Sequence, residues 1–312
     1  MLYLIRRQDI KLKQTTRRGF VKLLATLPIA SITSAETANT VNASIKAPMR
    51  IGLTPVILDD QLGFLHDWKI WLELQLKMPV KFVQRQKYRD ISDALLANEL
   101  DAAWVCGYPY IRFRPQMQLL AVPRYKTKLT YHSCIIVNKN KPAINQMIQL
   151  KESIFAFSDP DSNSGFLYPQ YRFKSLDINS DSFFQRTFFS WSHRNTIDAV
   201  ANGLADAGAV DSYILEQYSI HHPEVTKNIK IIEKSPPFGF PPMVVRSNLN
   251  STLKQQLGGV FIDMKRNKVG LELLHRLGLD GFDTGSEALF SSIEKMALEL
   301  KNRSHIIQHA SS

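Results

Sequence analysis

The feature that most constrains this chain is an ordered alternation of short apolar strands and amphipathic helices, run through twice. Residues 49–54 alternate in polarity and end at Pro55, as a first strand does. Residues 61–77 place Leu62, Leu65, Trp68, Trp71, Leu72 and Leu76 on one helical face. A short strand at 80–83, a helix at 90–98 and an apolar strand at 102–105 follow. The second series has strands at 132–138, 154–157, 207–210 and 229–233. Its helices begin near 166 and span 196–203 and 212–219. Residues 236–242 are a proline-rich break, 243–245 resume a strand, and the chain from 253 onward is mostly helical. Strand–helix alternation of this kind specifies an α/β fold with largely parallel sheets. Two extended segments, near 132–139 and 232–246, join the two series. A chain that leaves one lobe and returns to it implies two lobes about a hinge, and clefts between lobes are preferred ligand sites. The expected division is 49–133 plus 243–312 for the first lobe and 134–242 for the second.

Charge enters because the chain carries a net +11, which first suggests nucleic acid or an anionic surface. The distribution argues otherwise. Residues 1–35 hold Arg6, Arg7, Lys11, Lys13, Arg17, Arg18 and Lys22 against Asp9 alone, which leaves only +5 for the rest. This basic stretch leads into a short apolar run at 19–32 and then small residues. That is the layout of an export signal, and the run is too short and too interrupted to span a bilayer. Residues 16–22, Thr-Arg-Arg-Gly-Phe-Val-Lys, resemble the twin-arginine signal, which implies export of an already folded protein. Residues 36–48 read as a polar lead-in. The mature chain is expected to be monomeric and not to bind nucleic acid. Two cysteines, Cys106 and Cys134, exclude a disulfide-dense scaffold, and the chain has no C-x-x-C, H-E-x-x-H or G-x-x-x-x-G-K-[ST] motif to suggest a metal or cofactor.

The segment richest in chemistry is Ser158-Asp-Pro-Asp-Ser-Asn-Ser-Gly165, between a strand and a helix. Free N–H groups at a helix start, with Ser162, Asn163 and Ser164 as further donors, make an anion site. The same residues are also ordinary helix caps. His193, at the start of another helix, is either an oxyanion donor or a packing residue. Asp211, at the end of a strand, is either a ligand group or a cap for the helix at 212–219.

This segment, continued through Phe-Leu-Tyr-Pro169, resembles the D-P-x-S-T-S-G-x-x-x-P signature of the phosphonate-binding periplasmic proteins of ABC importers. Residues 190–206 resemble that family's G-x-H…A-V-x-x-G-x-A-D segment. The order of Tyr88, the 101–104 strand, the 131–137 strand and Lys234-Ser-Pro236 agrees as well. The resemblance covers about 49–300. It implies a two-lobed periplasmic-binding-protein fold of the second type, with two parallel-rich sheets joined by a two-strand hinge. It further implies capture of a small tetrahedral oxyanion and delivery to a membrane permease. On this resemblance Ser162, Asn163 and Ser164 form the anion loop, and His193 is the cleft histidine. Tyr88 holds the oxyanion from the first lobe, and Cys106, Gly107 and Tyr108 line the cleft.

Asn163 replaces the family threonine, and no carboxylate follows Ser235, which disfavours an aminoalkylphosphonate. Some relatives sense arsenic oxyanions and signal to a histidine kinase. Cys106 is therefore open to three readings: a buried apolar residue, a soft ligand, or half of a disulfide with Cys134. The order Ser162 or Ser164, His193, Asp211 also matches a Ser–His–Asp hydrolase, although no G-x-S-x-G elbow is present.

Overall fold

A computed structural model describes residues 47–55 and 62–310, with side chains up to Lys301. The basic segment and its twin-arginine-like motif lie outside the described residues. The strands in chain order are β1 (Met49–Leu53), β2 (Val80–Gln84), β3 (Ala102–Trp104), β4 (Met117–Arg124), β5 (Thr130–Tyr131), β6 (Ser133–Asn138) and β7 (Ile154–Phe157). They continue with β8 (Arg186–Phe189), β9 (Ala207–Asp211), β10 (Ile229–Lys234), β11 (Phe238–Gly239), β12 (Met243–Arg246) and β13 (Gly281–Asp283).

Two sheets form, one in each lobe. The first has the order β13-β4-β12-β3-β1-β2 and the second β10-β6-β9-β7-β8. In the first, β1 pairs in parallel with both β2 and β3. In the second, β7 pairs in parallel with β8 and β9. The sheets are mixed, because the strands that enter from the crossings run against this parallel core. β12 is antiparallel to β3 and β4, and β6 is antiparallel to β9 and β10. The chain passes from the first sheet to the second after β4 and returns after β10. Between these points β5 and β11 pair as a separate antiparallel ribbon. Aromatic rings pack about the ribbon: Tyr131 against Phe238 and Phe240, and Phe240 against Tyr125 and Tyr213.

Each lobe buries its own apolar face. Trp68, on the helix Leu62–Leu76, is fully buried among Phe64, Phe82, Trp104 and Phe261, as the helical spacing requires. In the second lobe Phe155 packs with Phe157, Phe173 and Phe184. Burying a side chain of this size stabilises the fold by roughly 1.5–3 kcal/mol. The helix Ser291–Ala310, expected in the first lobe, bridges the lobes. It packs against the helix Gly107–Arg112 of the first and Tyr168–Ser175 of the second. Lys174 Nζ of the second lobe donates to the carbonyl of Leu300 on that helix.

Periodicity gives no sign of the strands β4, β8 and β13. β4 contains Pro123, and β8 and β13 are short segments near sheet edges. No described helix is long and apolar enough to cross a membrane.

Candidate functional site

The segment 158–165 leaves the end of β7 and turns into a single π-helical turn, Asn163–Leu167, before the helix Tyr168–Ser175 begins. The Ser162 hydroxyl caps this turn by accepting the Gly165 N–H at 2.9 Å. The cap reading therefore describes Ser162. The turn is compact because position 165 is glycine. A Cβ there would lie 2.4 Å from Ser158 Oγ and 3.1 Å from His193 Cε1. Short π-helical turns recur at functional sites.

His193 opens the helix His193–Ala201 and is 2% exposed. Its Nδ1 accepts the backbone N–H of Asp211 at 3.2 Å and lies 2.8 Å from Ser158 Oγ. Ser158 in turn donates to the carbonyl of Ala209 at 2.8 Å. The other ring nitrogen, Nε2, faces Ser162 Oγ at 3.5 Å. Burial pushes the imidazole down to about 3, so His193 is a neutral donor at neutral pH.

The Asp211 carboxylate does not reach His193. Its Oδ1 accepts the N–H groups of Tyr213 and Ile214 and so caps the helix Ser212–His221. It is 2% exposed, and burial pushes it up to about 7. Asp211 nonetheless lies close enough to Tyr88, Cys106 and Tyr131 to raise the pKa of each.

From the first lobe come Tyr88, at the start of the helix Tyr88–Leu96, and Cys106, just after β3. The Cys106 sulfur accepts the backbone N–H of Asn163 at 3.2 Å. Burial pushes the thiol up to about 11, so it stays protonated at neutral pH. Both cysteines are free and buried, and no disulfide joins them. Tyr131, from the ribbon between the sheets, accepts Asn163 Nδ2 at 3.0 Å. The Tyr108 ring is half-buried and stacks on the Arg112 guanidinium at 5.4 Å.

The structure thus brings Ser162, Asn163, Ser164, His193, Tyr88, Cys106 and Asp211 into one buried cluster. Tyr131 belongs to it as well. Its only signal in the sequence is its position in the 131–137 segment, where a tyrosine at a strand start reads equally as core. Among the described residues three side-chain oxygens of the cluster, Tyr88 Oη, Asn163 Oδ1 and Ser164 Oγ, make no hydrogen bond of ordinary geometry, although the Tyr131 hydroxyl lies near Ser164. Buried polar atoms are nearly always paired, so three orphans together mark a place built for something polar. The cluster offers hydroxyl, amide and imidazole groups and no Lys or Arg. Neutral donors of this type can satisfy several oxygens of a small anion. Among the described residues no group of His, Cys, Asp and Glu could hold a metal ion.

The family model described as "ABC transporter, phosphonate, periplasmic substrate-binding protein" matches residues 51–290. The chain is 28% identical over 287 residues to the phosphonates-binding periplasmic protein of Escherichia coli (strain K12), covering 89% of this chain and 84% of that one. It is 23% identical to a probable ABC transporter phosphite binding protein of Prochlorococcus marinus (strain MIT 9301), covering 73% and 81%. Among solved structures it resembles a binding protein component of an ABC phosphonate transporter from Pseudomonas aeruginosa. The TM-score is 0.75 at 23% identity, covering 84% and 89%. A Prochlorococcus marinus protein in complex with methylphosphonate gives a TM-score of 0.72 at 22% identity, covering 82% and 99%. The two-lobed fold of type II periplasmic binding proteins, the signature loop and these matches agree: the chain belongs to the periplasmic phosphonate substrate-binding proteins of ABC transporters.

Proposed function

We propose that the protein captures a small tetrahedral oxyanion of the phosphonate, phosphite or phosphate type in the buried cluster and hands it to the permease of an ABC importer. The observation that carries this reading is the pair of orphaned hydroxyls on Tyr88 and Ser164, which can donate to an anion, gathered beside the neutral His193 ring, with Asn163 Oδ1 able to accept from a protonated ligand oxygen. They come from both lobes, so an anion bridging them favours lobe contact, which is the signal a permease reads. Ser162, Asn163 and Ser164 supply the anion loop, with Tyr88 and His193 completing the shell. Tyr108 acts through Arg112. Asp211 contributes a buried carboxyl that accepts a proton from a protonated ligand oxygen when ionised. The twin-arginine-like motif at 16–22 would deliver the protein, already folded, to the periplasm. Replacing Arg17 and Arg18 by lysine is expected to leave it in the cytoplasm.

The hydrolase reading is disfavoured by Asp211, whose carboxylate is engaged at a helix start and does not orient His193 as a triad acid would. One observation favours a second reading, an arsenic-oxyanion sensor signalling to a histidine kinase: the Cys106 thiol lies inside the cluster and occupies the Asn163 N–H.

Thermal-shift measurements with phosphate, phosphite, methylphosphonate, arsenate and arsenite test both readings. A ligand at a hundred times its Kd raises stability by about 2.7 kcal/mol. Stabilisation by a phosphorus oxyanion, weakened roughly tenfold in Kd by Ser164→Ala, is expected. No shift with any of the five would refute the oxyanion reading. A shift with arsenite alone that Cys106→Ser abolishes would select the sensor.

A further inference from the structure

Three consecutive first-lobe residues are each gripped by the second lobe. The Lys87 ammonium sits 4.9 Å from the ring centre of Trp191. Trp191 is a partly exposed residue held at φ 68°, a conformation that side-chain-bearing residues rarely adopt. The Tyr88 N–H donates to Asp159 Oδ2 at 3.2 Å, so a carboxylate of the opposite lobe caps the helix Tyr88–Leu96. Arg89 forms a fork on Asp161, Nε to Oδ2 at 2.6 Å and Nη2 to Oδ1 at 2.8 Å. Arg112 adds a third bond, Nη1 to Asp161 Oδ1 at 2.5 Å. The Asp161 side chain is 3% exposed, whereas Arg89 and Arg112 are 41% and 35% exposed. Phe113 lies against both guanidinium groups, at 5.6 and 5.2 Å.

The anion loop does not need the Asp161 carboxylate for its own fold. Ser162 caps the π turn, and Asp159 Oδ1 accepts the Asp161 N–H. Among the described residues every hydrogen bond made by the Asp161 carboxylate crosses from one lobe to the other.

We propose that Asp161 is a positioning residue for ligand capture. By holding Arg89 and Arg112 against the anion loop it keeps Tyr88 in the buried cluster and sets how long a ligand stays. Opening the lobes returns Asp161 to water, where a carboxylate and an amide are both well hydrated. With the lobes in contact, only the carboxylate makes charge-assisted bonds to two cations. Asp161→Asn therefore weakens the contact state selectively. Both guanidinium groups are more than a third exposed, so solvent screens the pairs and the effect is moderate, about tenfold. The ligand's identity rests on the reading above; the lobe contact does not.

The test uses the mature protein, with methylphosphonate as probe and tryptophan fluorescence in stopped flow. Asp161→Asn is expected to raise the dissociation rate about tenfold with little change in the association rate. Arg112→Gln should do less, and the double variant should fall short of the product of the two. Small-angle scattering without ligand is expected to give a larger radius of gyration for Asp161→Asn than for the wild type. An unchanged dissociation rate, or a loss confined to the association rate, would overturn the proposal. If wild type binds no probe, the oxyanion reading fails, and scattering alone decides the latch: equal radii overturn it. If Asp161→Asn unfolds, Arg112→Gln carries the same two measurements, since its guanidinium lies at the partly exposed end of the contact.

Discussion

His193 and Asp211 adjoin in the cluster, and burial shifts them in opposite directions. Folding holds His193 neutral, with its pKa down at about 3 against 6.5 when unfolded. At pH 5 the unfolded chain therefore takes up a proton that the folded chain refuses. Stability from this group is full above pH 6.5 and declines as pH falls. The loss between pH 7.5 and pH 5 is about 2 kcal/mol. Asp211 behaves in reverse, pushed up to about 7 against 3.8 when unfolded. Between those values the folded state binds the extra proton, so its contribution is present at low pH and lost as pH rises through about 7. Over the same interval it gains about 2 to 3 kcal/mol on acidification. The two contributions nearly cancel, and neither is visible in wild type alone.

Single variants separate them. His193→Asn retains an acceptor for the Asp211 N–H and removes the ring. Relative to wild type it should gain about 2 kcal/mol as pH falls from 7.5 to 5. Asp211→Asn retains the helix cap and should lose about 2 to 3 kcal/mol over the same range. Urea unfolding at both pH values measures each difference, and terms common to variant and wild type drop out. Constant offsets between variant and wild type are irrelevant, because only their change with pH enters. Differences that stay flat with pH, or slopes of the same sign in the two variants, would show that the folded chain does not bury a neutral imidazole beside a protonated carboxyl.

Gly165→Ala would drive a methyl group into Ser158 and His193, so oxyanion binding should fall at least a hundredfold in calorimetry. Ser158→Gly in the same chain should restore part of it, because both of the closest atoms, Oγ at 2.4 Å and Cβ at 2.5 Å, are removed. At pH 7.5 Cys106 and Cys134 should resist Ellman's reagent in the native protein and react fully in urea, since both are buried with thiol pKa values pushed up to about 11 and about 12. Tyr131→Phe should raise Kd for the bound oxyanion about fivefold by titration calorimetry, because it deprives Asn163 of its hydroxyl partner.

Much of the site is legible in the sequence because its chemistry is local. Residues 158–165 carry their own cap, their own glycine and their own donors within eight positions, and the turn they form uses all three. The strands with clear apolar runs, such as β7 and β9, are equally plain. β4 is not, since its burial is decided by β12 and β13, more than a hundred residues away. Arg89, Arg112 and Asp161 give no signal either. Each reads as a solvated surface charge until two lobes meet.

The sequence by itself determined the α/β alternation, the crossing between two sheets and the capped turn at 158–165, because periodicity, turn chemistry and helix capping act over a few residues. It also assigned more than half of the net charge to the first 35 residues. Only the tertiary structure decided what the loop faces. It brought Cys106 and Tyr131 onto Asn163, placed the Asp211 N–H on His193 Nδ1, and turned Asp161 inward between two arginines. These contacts join residues 18 to 72 positions apart. Their protonation states follow from burial, which depends on how the lobes pack and not on the order of residues along the chain.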